Sequence, residues 1–269
     1  MASFDFIEAS TKGYEFVWDK ATYLMRVAIP VIFVKVFCLL TAFSLQLEVG
    51  SLIYGLAVLP SYAIEGIFVI GLIRYFIYRE PIYVWGSMVP CPETKQTDLP
   101  FFIHPSSERK RPMQAGIALY ILIWVILLCL VGLLPKETAE ATAEPRPEIM
   151  AHQAFFAFTV MAGMLYGMIW SMRIFFSYIP LTLDYTLSEY LKKMEGFKSS
   201  AMIALTLVIC TMPILIIDIG ILNLLDIMFG QGSAAFIVGK AILESILGIF
   251  TISIQVVAIT YGICHIMSE

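Results

Sequence analysis

Residues 167–213 read GMIWSMRIFFSYIPLTLDYTLSEYLKKMEGFKSSAMIALTLVICTMP, and this order of apolar and polar blocks decides the fold. An apolar run stops at Arg173, and an aromatic segment follows to Pro180. A polar, helix-like stretch with Asp184, Glu189, Lys192, Lys193 and Glu195 then leads into a second apolar run from Ala201. Two membrane-crossing helices, joined by a helix lying at the water–lipid boundary over 181–198, account for that order. An α-helix needs about 20 apolar residues to cross a hydrocarbon layer about 30 Å thick.

Working outward, the same pattern recurs along the whole chain. Hydrophobic residues make up 59% of it and charged residues 14%, far from the balance that a soluble domain needs for its surface. Six spans are expected, at about 27–47, 52–77, 113–134, 151–179, 201–222 and 234–264, in a single all-α membrane domain covering 1–269. Residues 1–26 mix aromatics with charges and are expected to form an amphipathic interfacial segment, with Trp18 and Tyr23 at headgroup level. No uninterrupted apolar stretch of signal-peptide type occurs in residues 1–20, so membrane entry is expected through the first span. Residues 78–111 form a polar loop broken by Pro81, Pro90, Pro92, Pro100 and Pro105. Residues 135–149 are acidic and rich in Pro and Ala, the composition of a flexible loop. The third span carries no charge and is expected to face lipid most fully.

Orientation follows from the Lys and Arg residues. Thirteen of the seventeen lie in 1–26, in the second-to-third connection or in the fourth-to-fifth connection, all on one side of a six-span chain. Only Lys136 and Arg146 lie on the other side, and Lys35 and Lys240 fall within spans. The positive-inside rule then places both termini in the cytoplasm, and the expected location is a bacterial inner membrane.

Two helix ends echo each other. Arg74 to Pro81 reads RYFIYREP, and Arg173 to Pro180 reads RIFFSYIP. Arg74, Arg173, Pro81 and Pro180 are expected to be interfacial anchors, with Arg snorkelling to the headgroups and Pro ending each helix. A second echo sets Gly13-Tyr14 before Pro30 and Gly196-Phe197 before Pro213. With KGYEFVWDKATYLMRVAIP near the N-terminus, these segments resemble six-helix bacterial membrane proteins akin to the membrane domain of glycerophosphoryl diester phosphodiesterases. The resemblance implies the six-helix arrangement. In those enzymes a separate soluble domain carries the chemistry, and the longest polar segment here, 78–111, has no room for one.

Charges inside spans are costly and are the default candidates for function. Lys35, Glu65 and Gln255 fall at about 12, 18 and 15 Å from the cytoplasmic ends of their spans, counting about 1.5 Å per residue, so a mid-membrane cluster is expected. Asp218, Lys240 and Glu244 form a second candidate cluster nearer the outside. The pairs either fix helix packing or line a solute path, and the packing role is preferred. Gly66, Gly71, Gly163 and Gly167 are expected to be helix-packing contacts. Cys38, Cys91, Cys129, Cys210 and Cys264 include no C-x-x-C pair, and His104, His152 and His265 are dispersed. No metal or cofactor is therefore expected. No phosphate loop, H-E-x-x-H or nucleophile elbow is present, so no catalytic residue is assigned.

The expected partners are the lipid bilayer, other membrane-protein subunits or a second copy of the chain, and no nucleic acid. The leading functional expectation is a non-enzymatic accessory or scaffold subunit that docks a partner on its cytoplasmic face. The alternative is a small solute or ion transporter or channel that uses the intramembrane charges. The two readings part on one observation: charges sealed by apolar side chains favour the first, and a polar cavity reaching them favours the second.

Overall fold

A computed structural model describes residues 4–48, 51–84, 87–88, 107–133, 147–230 and 233–268. Most of the 78–111 loop, including Cys91 and His104, and most of the 135–149 loop lie outside the described residues. Among the described residues the chain forms α1 (Phe6–Asp19), α2 (Ala21–Ser44), α3 (Leu52–Tyr78), α4 (Ser107–Leu133), α5 (Pro147–Phe175), α6 (Tyr178–Thr182), α7 (Leu187–Lys193), α8 (Phe197–Phe229) and α9 (Ala234–Ser268). Two strands, β1 (Tyr83–Val84) and β2 (Ser87–Met88), pair antiparallel after α3. Helices α2, α3, α4, α5, α8 and α9 each contain a segment long and apolar enough to cross a membrane, so the protein is an all-α, multi-pass membrane bundle.

Local chemistry sets the helix ends. Asp5 Oδ1 accepts the Ile7 backbone N–H at 2.8 Å and starts α1, while Ser51 and Thr186 cap α3 and α7 in the same way. Arg79 at φ 57° closes α3 and Asp184 at φ 66° turns the chain between α6 and α7. Gly196 at φ 116° opens α8, a backbone conformation that a side chain would strain.

The polar connection expected as one helix over 181–198 is instead the seven-residue α7, because the turns at Asp184 and Gly196 cut it at both ends. Pro180 does not end a helix; it is buried within α6, near its first turn, where a missing N–H costs little. The break falls earlier, at Phe176–Ser177.

The N-terminal helix differs from the expected surface lie. Its apolar face is covered by α9, which it follows in the opposite direction: Phe4 packs against Gly262, Glu8 Oε1 accepts the Tyr261 hydroxyl at 2.6 Å, and Gly13 meets Ile254 and Ala258. At Gly13 a Cβ would lie 2.7 Å from the Ile254 carbonyl oxygen, so only glycine allows this approach. Pro213 cannot donate to the Ile209 carbonyl four residues back. The Tyr14 hydroxyl reaches that point from α1, donating to Cys210 O at 2.8 Å and lying 3.5 Å from Ile209 O. Trp18 is exposed, as a headgroup residue would be, but Tyr23 is buried against Tyr75 and accepts the Ile82 N–H.

Helix α3 is the most buried span and touches α2, α4, α6 and α9. The third span, uncharged over 113–134, is not the most exposed one: part of it packs on α3 and α6, whereas no residue of the fourth span from Phe158 to Phe176 is buried. Absence of charge and exposure to lipid are separate properties, because a buried span is also apolar. Gly66 and Gly71 do pack closely, against Tyr120 and Ile82. Gly163 and Gly167 meet nothing within 4 Å among the described residues, so they are not packing contacts there.

Candidate functional site

Lys35 on α2 and Glu65 on α3 meet inside the bundle, with Nζ 2.6 Å from Oε2. Glu65 is 1% exposed. Its other oxygen, Oε1, accepts the Tyr120 hydroxyl of α4 at 2.6 Å. One buried carboxylate thus ties three spans together, and both of its oxygens are held, as burial of a charge demands. Tyr120 was not among the expected site residues. Its signal was a hydroxyl in an otherwise apolar run, and a buried tyrosine usually finds a partner for that group.

Gln255 does not complete this pair directly. Its side-chain amide donates to Thr211 Oγ1 at 2.7 Å, which joins α9 to α8. Lys240 and Glu244 lie 3.7 Å apart on α9, one helical turn from each other. Asp218 on α8 does not pair with them: its Oδ1 is shielded from solvent and lacks a hydrogen-bond partner among the described residues.

Five of the six residues of the two expected clusters line one site. A cavity of about 330 Å³ is lined by Lys35, Glu65, Asp218, Glu244, Thr211 and Gln255, with Tyr62 and Trp124 stacked as an aromatic wall at 4.2 Å between ring centroids. Helix positions explain the merger. Lys35 lies about 14 Å before the end of α2, Glu244 about 15 Å into α9 and Asp218 about 17 Å before the end of α8, at about 1.5 Å per residue. All three sit at similar depth below the α2–α3 and α8–α9 connections. Lys240 stands a turn nearer that end, outside the cavity lining.

A second, more apolar cavity of about 320 Å³ lies next to the first. It shares Trp124, Ile252 and Gln255 with it and is closed by Met172, Phe176 and Tyr178. No group of His, Cys, Asp and Glu among the described residues is arranged to hold a metal ion.

The four expected anchors occupy different environments. Arg74 is 3% exposed and does not snorkel. Its guanidinium holds Glu80 through two hydrogen bonds, at 2.7 and 3.1 Å, and donates to the Thr182 carbonyl at 3.0 Å. It therefore locks the end of α3 to α6. Pro81 follows Glu80 and turns the chain toward Ile82, which is buried. Arg173 lies with its guanidinium 4.2 Å from the centre of the Trp170 ring. Beside it, Tyr190 of α7 is buried and donates to the Arg173 carbonyl at 2.8 Å. Burial raises the Tyr190 phenol above its ordinary range, with the Arg173 charge opposing the shift.

No family model, no curated protein and no solved structure matches this chain.

Proposed function

We propose that this is a non-enzymatic membrane protein that binds and passes a small, positively charged solute through the cavity between α2, α3, α8 and α9. The observation that carries the reading is the polar cavity itself: the Lys35–Glu65 pair lines it rather than being sealed by apolar side chains. Charge supplies the solute class. In the lining one ammonium, Lys35, stands with three carboxylates, Glu65, Asp218 and Glu244, and Lys240 reaches Glu244 from outside it. Lys35 answers Glu65 and Lys240 answers Glu244, which leaves Asp218 for a cation. The Tyr62–Trp124 wall offers aromatic faces to an organic ammonium ion. The volume falls at the small end of the range for ligand pockets, about 300–1,000 Å³.

The orientation proposed with this reading has both termini in the cytoplasm of a bacterial inner membrane, so that the Asp218 and Glu244 end of the cavity lies in the outer half of the bundle. The Lys and Arg distribution supports it. Cysteines placed singly at Gln46 and at Lys192 in a cysteine-free background test it: an impermeant thiol reagent should label the first and not the second in intact cells.

The solute reading is tested by thermal stabilisation of the purified protein with methylammonium and tetramethylammonium, neutral isosteres and small carboxylates. Stabilisation by the ammonium ions alone, lost in Asp218→Asn, is the expected result. Stabilisation by none of these solutes would count against a solute site.

The accessory-subunit reading draws on one separate observation. The fourth span leaves Gly163 and Gly167 open on a face that nothing among the described residues covers, where a helix of another subunit would fit. In either reading, the resemblance to phosphodiesterase membrane domains would extend to architecture alone.

A further inference from the structure

At the other end of the bundle from the cavity, the last turns of α5 and helix α7 enclose a cleft of about 670 Å³. One wall is apolar, formed by Trp170, Ile174 and Leu191, and the polar lining includes Arg173, Lys192 and Glu195.

The two echoed arginines differ here in a way that matters. Arg74 spends its guanidinium on Glu80 and on a carbonyl. Arg173 has no carboxylate in ion-pair range among the described residues. Its Nη1 makes one long bond, 3.4 Å, to Met194 O, and its Nε is shielded from solvent with no acceptor. A guanidinium carries five N–H donors in a planar fork suited to phosphate oxygens. Trp170 holds that fork in place from one face. Of the two adjacent lysines, Lys193 is spent on the Met267 carbonyl at 2.7 Å, while Lys192 lines the cleft.

We propose that this cleft seats the headgroup of an anionic phospholipid, its phosphate on Arg173 and Lys192 and an acyl chain along Trp170, Ile174 and Leu191. The site is independent of the cavity and of the solute reading. Two cations against Glu195 leave one positive charge, which a headgroup of net charge −1 neutralises. A more highly phosphorylated headgroup would meet Glu195 at the rim. A lipid fits better than a soluble phosphate, because the cleft adjoins apolar side chains left open at the end of a membrane helix, Ile174 being 47% exposed.

The test uses the full chain in detergent and reads retained lipid by native mass spectrometry. The added probes are phosphatidylglycerol, phosphatidylethanolamine, diacylglycerol and inorganic phosphate. Phosphatidylglycerol should be retained in preference to the other three. Arg173→Gln should weaken its retention about tenfold, the scale of one charge-assisted hydrogen bond. Lys192→Gln, at an exposed position that does not endanger folding, should weaken it in the same direction. Lys198→Gln removes an exposed cation from the same connection but outside the cleft and should leave retention unchanged. An equal loss with Lys198→Gln would mean diffuse attraction and would overturn the site. Equal retention of phosphatidylethanolamine would refute the charge selectivity. Retention of diacylglycerol would refute the phosphate contact, and of inorganic phosphate the lipid assignment.

Discussion

Replacing Glu65 by Leu tests how the centre of the bundle is held. Both oxygens of Glu65 are occupied, one by the Lys35 ammonium and one by the Tyr120 hydroxyl, each at 2.6 Å. Its removal leaves Lys35 charged at membrane depth. Breaking a buried pair from one side costs about 3–5 kcal/mol, and stripping a buried hydroxyl of its acceptor costs about 1–3 kcal/mol. The Lys35 side chain keeps 17% exposure toward the cavity, which draws the ionic share to its lower end. A combined loss of about 4 kcal/mol follows. At about 2–4 °C per kcal/mol for a chain of this order of size, Tm should fall by about 8–16 °C. Lys35→Met with Glu65→Leu should recover the ionic share, since removing both charges also removes their desolvation. The Tyr120 share should remain, and adding Tyr120→Phe should recover it. Thermal unfolding of the wild type, the single variants, the double and the triple, in one detergent at one protein concentration, decides the matter. Losses that simply add in the double variant would refute the coupling. A recovered triple variant that still responded to methylammonium would remove the Lys35–Glu65 pair from the proposed solute site.

Three further outcomes are expected. Arg74→Gln should cost about 1.5–3 kcal/mol in the same assay, because its charge-assisted bonds to Glu80 go with it; an unchanged Tm would mean that α6 is held some other way. Gly13→Val should cost about 1–3 kcal/mol by pushing α1 off the Ile254 carbonyl, and limited proteolysis should then cut near Lys20 faster than in the wild type. Gly163→Leu with Gly167→Leu should change the stability of the isolated chain by less than about 0.5 kcal/mol. A change in sedimentation of the detergent complex in that variant would reveal a partner helix on this face.

Element type and number were legible because hydrocarbon leaves so little choice. Every backbone group in a lipid-facing segment must be satisfied within its own helix, so a long apolar run can only be a helix. The helix ends were less legible. Helices α8 and α9, with 33 and 35 residues, rise about 50 Å against about 30 Å of hydrocarbon. The surface on which α1 packs, Ile254 to Gly262 of α9, lies within an apolar run, and hydropathy does not distinguish a face covered by lipid from one covered by α1. The same blindness explains Tyr23 and Arg74. An aromatic or an arginine near a helix end suits headgroups, but Tyr23 is claimed by Ile82 and Arg74 by Glu80 and Thr182. In Arg74's case the partner was visible six residues away in the sequence.

The site was legible to the extent that depth can be counted along a helix. Counting brought Lys35 and Glu65 to within reach of each other, since α2 and α3 are joined by a short turn and must be neighbours. It could not show which of the other spans close round them. That choice belongs to side-chain packing, and it separates Gln255, which turns to Thr211, from Tyr120, which takes the second Glu65 oxygen. It also explains why two clusters became one. The expected end of the fifth span at 222 put Asp218 nearer the outside, whereas Lys35 and Glu65 were counted from the cytoplasmic ends of their spans. Helix α8 runs on to Phe229, seven residues past its expected end, which sets Asp218 at the depth of Lys35, and a single cavity with an unpaired carboxylate oxygen among the described residues, on Asp218, is the consequence.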